Sequence, residues 1–439
     1  MILRRLQFET AKHVVAPFLT RLDHWQTMMK KSRKKGGGTL FGPPLTSVDR
    51  LKDLMMQYYF RGRYADGAVP VAWVTSGFPS EVLVALGYHL VYPENHAALC
   101  GARKTVVSLS ETAEAEGFSR DLCSYARTDI GALLSGKTPV GRLPRPDLLA
   151  CCTNICQTVM YWYRSLAAYL DVPLVIIDTP FVYGEAPQAH YDYVGQQLEV
   201  LREVAEKVAG TKLDSVRFDS VITHARDASA LWGKCLDTGK ARPSPWSAID
   251  SFFHIAPVVT LRGSPECTDY YRSLLQELEE RAQAGIGAIT NERHRLLWDN
   301  LPIWFMVREL AKETASRGFQ FVCATYSNAW AEAGESIDPS DPLGSTARTY
   351  TKVYLNRDLA SRLETMKDLA TRFSVDGAVL HSDRSCKPYS VGQTMLSAGL
   401  QRDLGIKSLL LEADHNDPRS FSNEQAITRL QAFMESFHG

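Results

Sequence analysis

The chain has 439 residues, too many for one hydrophobic core, so two or three domains are expected. Its 49 basic residues are balanced by 49 acidic ones, which argues against a polycationic surface for nucleic acid or membrane. The N-terminus lacks the apolar stretch of a signal peptide, and no apolar run approaches the roughly 20 residues of a membrane span. Nine cysteines, an odd number, point to thiols or metal ligands in a reducing cytoplasm rather than to a disulfide framework.

Residues 1–66 read as a helical N-terminal segment. Its basic run from Lys30 to Lys35, followed by Gly36 to Gly38, reads as a solvated helix end entering a linker. Residues 67–212 read as a first α/β domain. Strands are expected at Pro70–Thr75, Tyr88–Tyr92, Leu148–Cys152 and Pro173–Ile177. Helices are expected at Phe118–Leu134, Gln157–Leu170 and Gln188–Ala209. Residues 213–439 read as a second α/β domain, with helices at Ser220–Leu236, Glu266–Ala284, Pro302–Ser316, Asn356–Phe373 and Asn423–Phe437. Its strands are expected at Arg295–Trp298, Phe319–Thr325, Ala378–His381 and Ile406–Leu411. Residues 334–348, rich in Gly, Ser, Asp and Pro, read as a loop placed to lie over a site. Alternating strands and helices in both halves indicate two doubly wound parallel-sheet domains.

One plan occurs twice: strand, cysteine, helix, strand. It places Cys156 after Leu148–Cys152 and Cys386 after Ala378–His381. Ligands of open α/β sheets bind beyond the carboxyl ends of the strands. Backbone N–H groups at a helix start favour an anion, so a thiol there is expected to ionise and to serve as metal ligand or nucleophile. Cys123, in DLCSYARTDIG, lies near the start of a third helical segment. Three thiolates from two domains would suit an iron–sulfur cluster, with one iron left open to a non-cysteine ligand. Burial as packed core thiols is the plain alternative. It is the default for Cys100, Cys151, Cys152, Cys235, Cys267 and Cys323. Gly131 to Thr138 fits the P-loop pattern letter for letter. It lacks a preceding strand, and Pro139, Pro144 and Pro146 forbid the following helix, so nucleotide binding is not expected there.

The ordered contexts FxxEVLVALGYHLVYPEN, DLCSYARTDIG, DLLACCTNICQT with DVPLVIIDTP, and DGAVLHSDRSC resemble the 2-hydroxyacyl-CoA dehydratase and benzoyl-CoA reductase subunit family. The likeness runs from about Pro70 to the C-terminus. It implies a [4Fe-4S] cluster on Cys123, Cys156 and Cys386, with a non-cysteine fourth position. It also implies a related sibling subunit carrying a similar cluster, and an ATP-hydrolysing iron–sulfur activator fed indirectly by low-potential ferredoxin. Two chemistries follow from it: reductive dearomatisation of an aromatic acyl-CoA, or dehydration of a 2-hydroxyacyl-CoA through a ketyl radical. The stretch SGFPSEVLVALGYHLVYPENHAALCGARK looks more like the ring reductases. Electron relay without catalysis is a further alternative. Glu81 and His96 are the candidate proton-handling residues; their plain readings are a carboxylate at a helix start and a helix cap. Arg103 and Lys104 are candidates for CoA phosphates, and Asn154 and Ser385 for hydrogen bonds to cluster sulfurs.

Overall fold

A computed structural model describes residues 2–16 and 40–437; the basic run at Lys30–Lys35 lies outside the described residues. The architecture is α/β, with two four-stranded, wholly parallel sheets and a helical N-terminal part, as the strand–helix alternation predicts. The first sheet comprises β1 (Val71–Val74), β2 (His89–Val91), β3 (Leu148–Cys152) and β4 (Leu174–Ile177), in the order β2-β1-β3-β4. The second comprises β5 (His294–Asp299), β6 (Phe319–Ala324), β7 (Gly377–Asp383) and β8 (Lys407–Ala413), in the order β6-β5-β7-β8. The two sheets thus repeat one winding. In each, the chain reverses its direction of travel between the first and third strands, where open α/β sheets form a crevice.

Burial on both faces explains why β1, β3 and β6 are almost wholly apolar. Alternate residues of β1 enter different cores, following the two-residue period of a strand. Ala72 and Val74 pack with Phe218, Ile222, Trp232 and Leu274 from helices Ser215–Asp237 and Pro265–Gln283. Val71 and Trp73 face the other way, into a core that also holds Trp298, Phe321, Val379 and Leu411 of the second sheet. The halves therefore share a core, and the crevice lies between them. Among the described residues, no helix is long and apolar enough to cross a membrane.

Three segments differ from the sequence reading. The helix expected from Phe118 begins only at Ser124, with Cys123 as its N-cap. The helix expected from Pro302 begins at Val307. Residues 334–348 are not a long loop: helix Thr325–Ser336 is followed, after five residues, by helix Pro342–Thr351. Asp341 caps that second helix by accepting from the Gly344 N–H, and Pro342 occupies its first turn, so turn-forming residues here start a helix.

The P-loop-like stretch has a packing role. Gly131 lies inside helix Ser124–Ser135, and Gly136 is its left-handed C-cap (φ 66°). A Cβ at Gly131 would sit 1.8 Å from the Leu109 carbonyl oxygen of the neighbouring helix Val106–Ala115. Gly131→Ala is expected to destabilise the fold by about 3 kcal/mol. Thermal melting followed by circular dichroism checks this; an unchanged Tm would mean that the helix pair relaxes freely.

Candidate functional site

Cys123, Cys156 and Cys386 line one cavity of about 190 Å³ between the two sheets. Each thiol immediately precedes a helix: Ser124–Ser135, Gln157–Leu170 and the short Lys387–Ser390. Cys156 follows β3 and Cys386 follows β7, equivalent strands that both border a reversal point. All three are partly exposed, unpaired thiols. The expected lowering of the thiol pKa by helix starts is overturned at two of them. Burial, reinforced by the Cys123 sulfur, pushes Cys156 up to about 12. Burial, with Asp383 and the other two thiols, holds Cys386 well above the ordinary thiol range. Desolvation outweighs the helix dipole, so these two thiols favour the protonated form near neutral pH. The three sulfurs of Cys123, Cys156 and Cys386 line one cavity and form a donor set whose chemistry fits an iron–sulfur cluster.

A buried polar network holds the cysteine-bearing segments in place. Asp414, just after β8, accepts hydrogen bonds from Ser124 Oγ at 2.6 Å and from Ser385 Oγ at 2.7 Å. These serines adjoin Cys123 and Cys386. His415 Nδ1 donates to Asp383 Oδ2 at 2.6 Å, and its Nε2 lies 2.9 Å from Ser124 Oγ and 3.9 Å from Cys123 Sγ. Burial opposes charge on His415, but Asp383 and Asp414 outweigh it and raise the imidazole pKa well above its ordinary value. Asn416 donates to Thr128 Oγ1 and to the Ala97 carbonyl, and Arg127 donates to Asp417 at 2.9 Å. Ligand atoms of Asp383, Asp414 and His415 lie within 4.8 Å of one another, a grouping that suits a metal ion by residue type. Their hydrogen bonds to one another and to the two serines make them a scaffold for the neighbouring thiols.

Glu94 stands on the cavity wall at the start of helix Pro93–Ala102. One carboxylate oxygen accepts from the Ser76 N–H at 3.1 Å; the other has no hydrogen-bond partner among the described residues. Burial raises its pKa to about 7, so it can take up or release a proton near neutrality. The reasoning that selects Glu81 applies equally to Glu94: a carboxylate in the first helical turn after a strand, beside the sheet edge.

Glu81 lies elsewhere, fully buried beneath the wall. Its Oε1 pairs with Arg262 Nε at 2.8 Å and accepts from the Tyr350 hydroxyl at 2.8 Å. His96 is fully buried, with Nδ1 3.7 Å from Asp129 and Nε2 3.6 Å from Cys100 Sγ. Burial opposes charge on it, but Asp129 and Cys100 outweigh burial and raise its pKa to about 9. Neither residue is part of the cavity lining. Asn154 donates to the Gly77 and Tyr350 carbonyls. Lys104 is exposed, 3.9 Å from Glu309. Of the aromatic cluster after Cys156, Trp162 reaches the cavity, Tyr163 is core and Tyr161 is exposed.

The fold and the site together define a doubly wound α/β protein of two parallel sheets, with a thiol-lined crevice between them. A family model described as "2-hydroxyglutaryl-CoA dehydratase, D-component" matches residues 75–437, which takes in both sheets apart from β1. The chain belongs to that family. It is 33% identical over 389 residues to the (R)-2-hydroxyisocaproyl-CoA dehydratase alpha subunit of Clostridioides difficile, covering 88% of this chain and 94% of the relative. It is 32% identical over 367 residues to the (R)-phenyllactyl-CoA dehydratase alpha subunit of Clostridium sporogenes, covering 83% and 89%. It is 29% identical over 409 residues to a benzoyl-CoA reductase subunit of Thauera aromatica, covering 89% and 94%.

Proposed function

We propose that this chain is the iron–sulfur subunit of a cytoplasmic 2-hydroxyacyl-CoA dehydratase. It would work beside a related sibling subunit and receive low-potential electrons from an ATP-hydrolysing activator. The observation that carries this reading is the meeting of Cys123, Cys156, Cys386 and Glu94 around one cavity. The dehydratase alpha subunits among its relatives support dehydration over ring reduction. A [4Fe-4S] cluster held by the three cysteines would supply single-electron transfer at low potential. The chain's own residues do the rest. Aromatic and aliphatic side chains keep water from the reacting thioester. Glu94, with its unpartnered oxygen and a pKa of about 7, takes the proton that leaves the substrate and returns it to the departing hydroxyl. The Asp414 and His415 network keeps two of the three thiols in register.

Reduction of an aromatic acyl-CoA is the second reading, favoured by the benzoyl-CoA reductase relative and by the many rings of the lining. Iron and acid-labile sulfide, assayed after purification without oxygen, test the shared part of both. About four irons per chain are expected in the wild type, with most of the iron lost in Cys156→Ser. A wild type without iron would sink both. Product analysis with sibling and activator then separates them: an enoyl-CoA with loss of water, or a cyclic dienoyl-CoA from an aromatic substrate.

A further inference from the structure

Much of the cavity wall is aromatic, and the cations near it are turned to another use. Tyr326, Trp330, Tyr350, Tyr354 and Tyr389 all contribute to the lining. Behind them lie two fully or nearly fully buried arginines. The Arg262 guanidinium sits 4.5 Å from the Trp330 ring centre and 5.6 Å from that of Tyr350. Arg362 sits 5.0 Å from the ring centre of Tyr354 and 5.7 Å from that of Tyr389. Neither guanidinium is part of the lining, and apart from Arg362 Nε their nitrogens are engaged in hydrogen bonds. Arg262 donates to Glu81 Oε1, Ser80 Oγ and the Phe78 and Val258 carbonyls. Arg362 donates to the Pro388 and Tyr389 carbonyls. Nearby, Arg357 pairs with Glu332 at 2.5 Å. These arginines hold the rings in place by cation–π contact. Among the described residues, the lining contains no Lys, Arg or His side chain, and its one carboxylate is Glu94.

A substrate carboxylate entering this space would lose its water, meet no cation and face Glu94. An uncharged ring would meet several aromatic faces at no such cost. We infer that the acyl side chain taken by this cavity is uncharged and apolar, best filled by an aromatic ring, and that Trp330 and Tyr350, braced by Arg262, select it. The inference rests on the acyl-CoA reading above and narrows its substrate to a 2-hydroxyacyl-CoA without a second carboxylate.

Binding of three thioesters lacking the 2-hydroxyl, and so inert to turnover, tests this on the full chain purified without oxygen. Calorimetry would compare 3-phenylpropionyl-CoA, butyryl-CoA and glutaryl-CoA. The ring-bearing thioester is expected to bind at least about 100-fold more tightly than glutaryl-CoA, with butyryl-CoA between them. Comparable affinities for phenylpropionyl-CoA and glutaryl-CoA would overturn the selection while leaving the acyl-CoA reading intact. No binding of any thioester would overturn both. A Leu355→Arg variant, which adds a cation to the lining, is expected to gain at least tenfold for glutaryl-CoA; no gain in a folded variant would count against selection by the lining.

Discussion

Arg262→Met is expected to destabilise the protein by about 3–5 kcal/mol, more than most single substitutions do. The side chain is fully buried, and its loss would leave the Glu81 carboxylate with the Tyr350 hydroxyl as its remaining partner. An uncompensated charge in a dry interior costs far more than the ion pair itself contributes. The double variant Arg262→Met/Glu81→Leu removes both charges and is expected to recover most of the loss. Urea unfolding of wild type, single and double variants without oxygen measures this directly. If the single variant is as stable as the double, the pair is not the electrostatic unit its 2.8 Å contact implies. Glu81 is held against Arg262 beneath the cavity wall, outside the lining.

Glu94→Gln is expected to stabilise the metal-free fold at alkaline pH while removing most of the activity. The Glu94 pKa is raised to about 7 from 4.5, chiefly by burial. Below about pH 4.5 the carboxyl is protonated in both folded and unfolded chains and costs nothing. As pH rises toward 7 the unfolded chain releases the proton and the folded chain resists. Above pH 7 the folded state carries the whole penalty, about 3 kcal/mol for a shift of this size. The difference between Gln and Glu should therefore be near zero at about pH 4 and grow to about 3 kcal/mol at about pH 8, read from unfolding midpoints. A pH-independent difference would show that Glu94 does not titrate near neutrality. The expected trade of stability for activity is common where a charged group is held ready for chemistry.

The sheets are legible in the sequence because their strands carry simple signals. Leu148–Cys152 and Phe319–Ala324 are short apolar runs bounded by turn residues, and the runs at Gln157–Leu170 and Gln188–Ala209 have clear helical spacing. The start of helix Ser124–Ser135 is obscured because apolar Phe118 and Leu122 extend the pattern into a turn, where they pack against the second core without helical backbone. Residues 334–348 mislead because composition alone does not distinguish a loop from a helix begun by an Asp cap and a proline. The three cysteines stand out by their repeated setting, which is local. What separates Glu94 from Glu81 is not local. Arg262 lies 181 residues after Glu81, and a cation that distant pairs with one carboxylate and not with the other, which lines the cavity instead. His415 and Asp414 carry no sequence signal for the same reason: their partners Ser124 and Ser385 are adjacent only in the folded chain.

The bonds from Ser124 to Asp414 and His415 span 290 and 291 residues. During synthesis at roughly 5–20 residues per second, Cys123 leaves the ribosome about 15–60 seconds before the segment that will position it. Cys386 and the residues from Asp383 to Asp417 emerge some 260 to 294 residues after Cys123. The thiol-lined crevice therefore does not exist on a nascent chain, however well its first sheet has folded. Under the iron–sulfur reading proposed above, a cluster would be inserted only after both halves have met. Once they have met, burial holds Cys156 above the ordinary thiol range, which slows its oxidation.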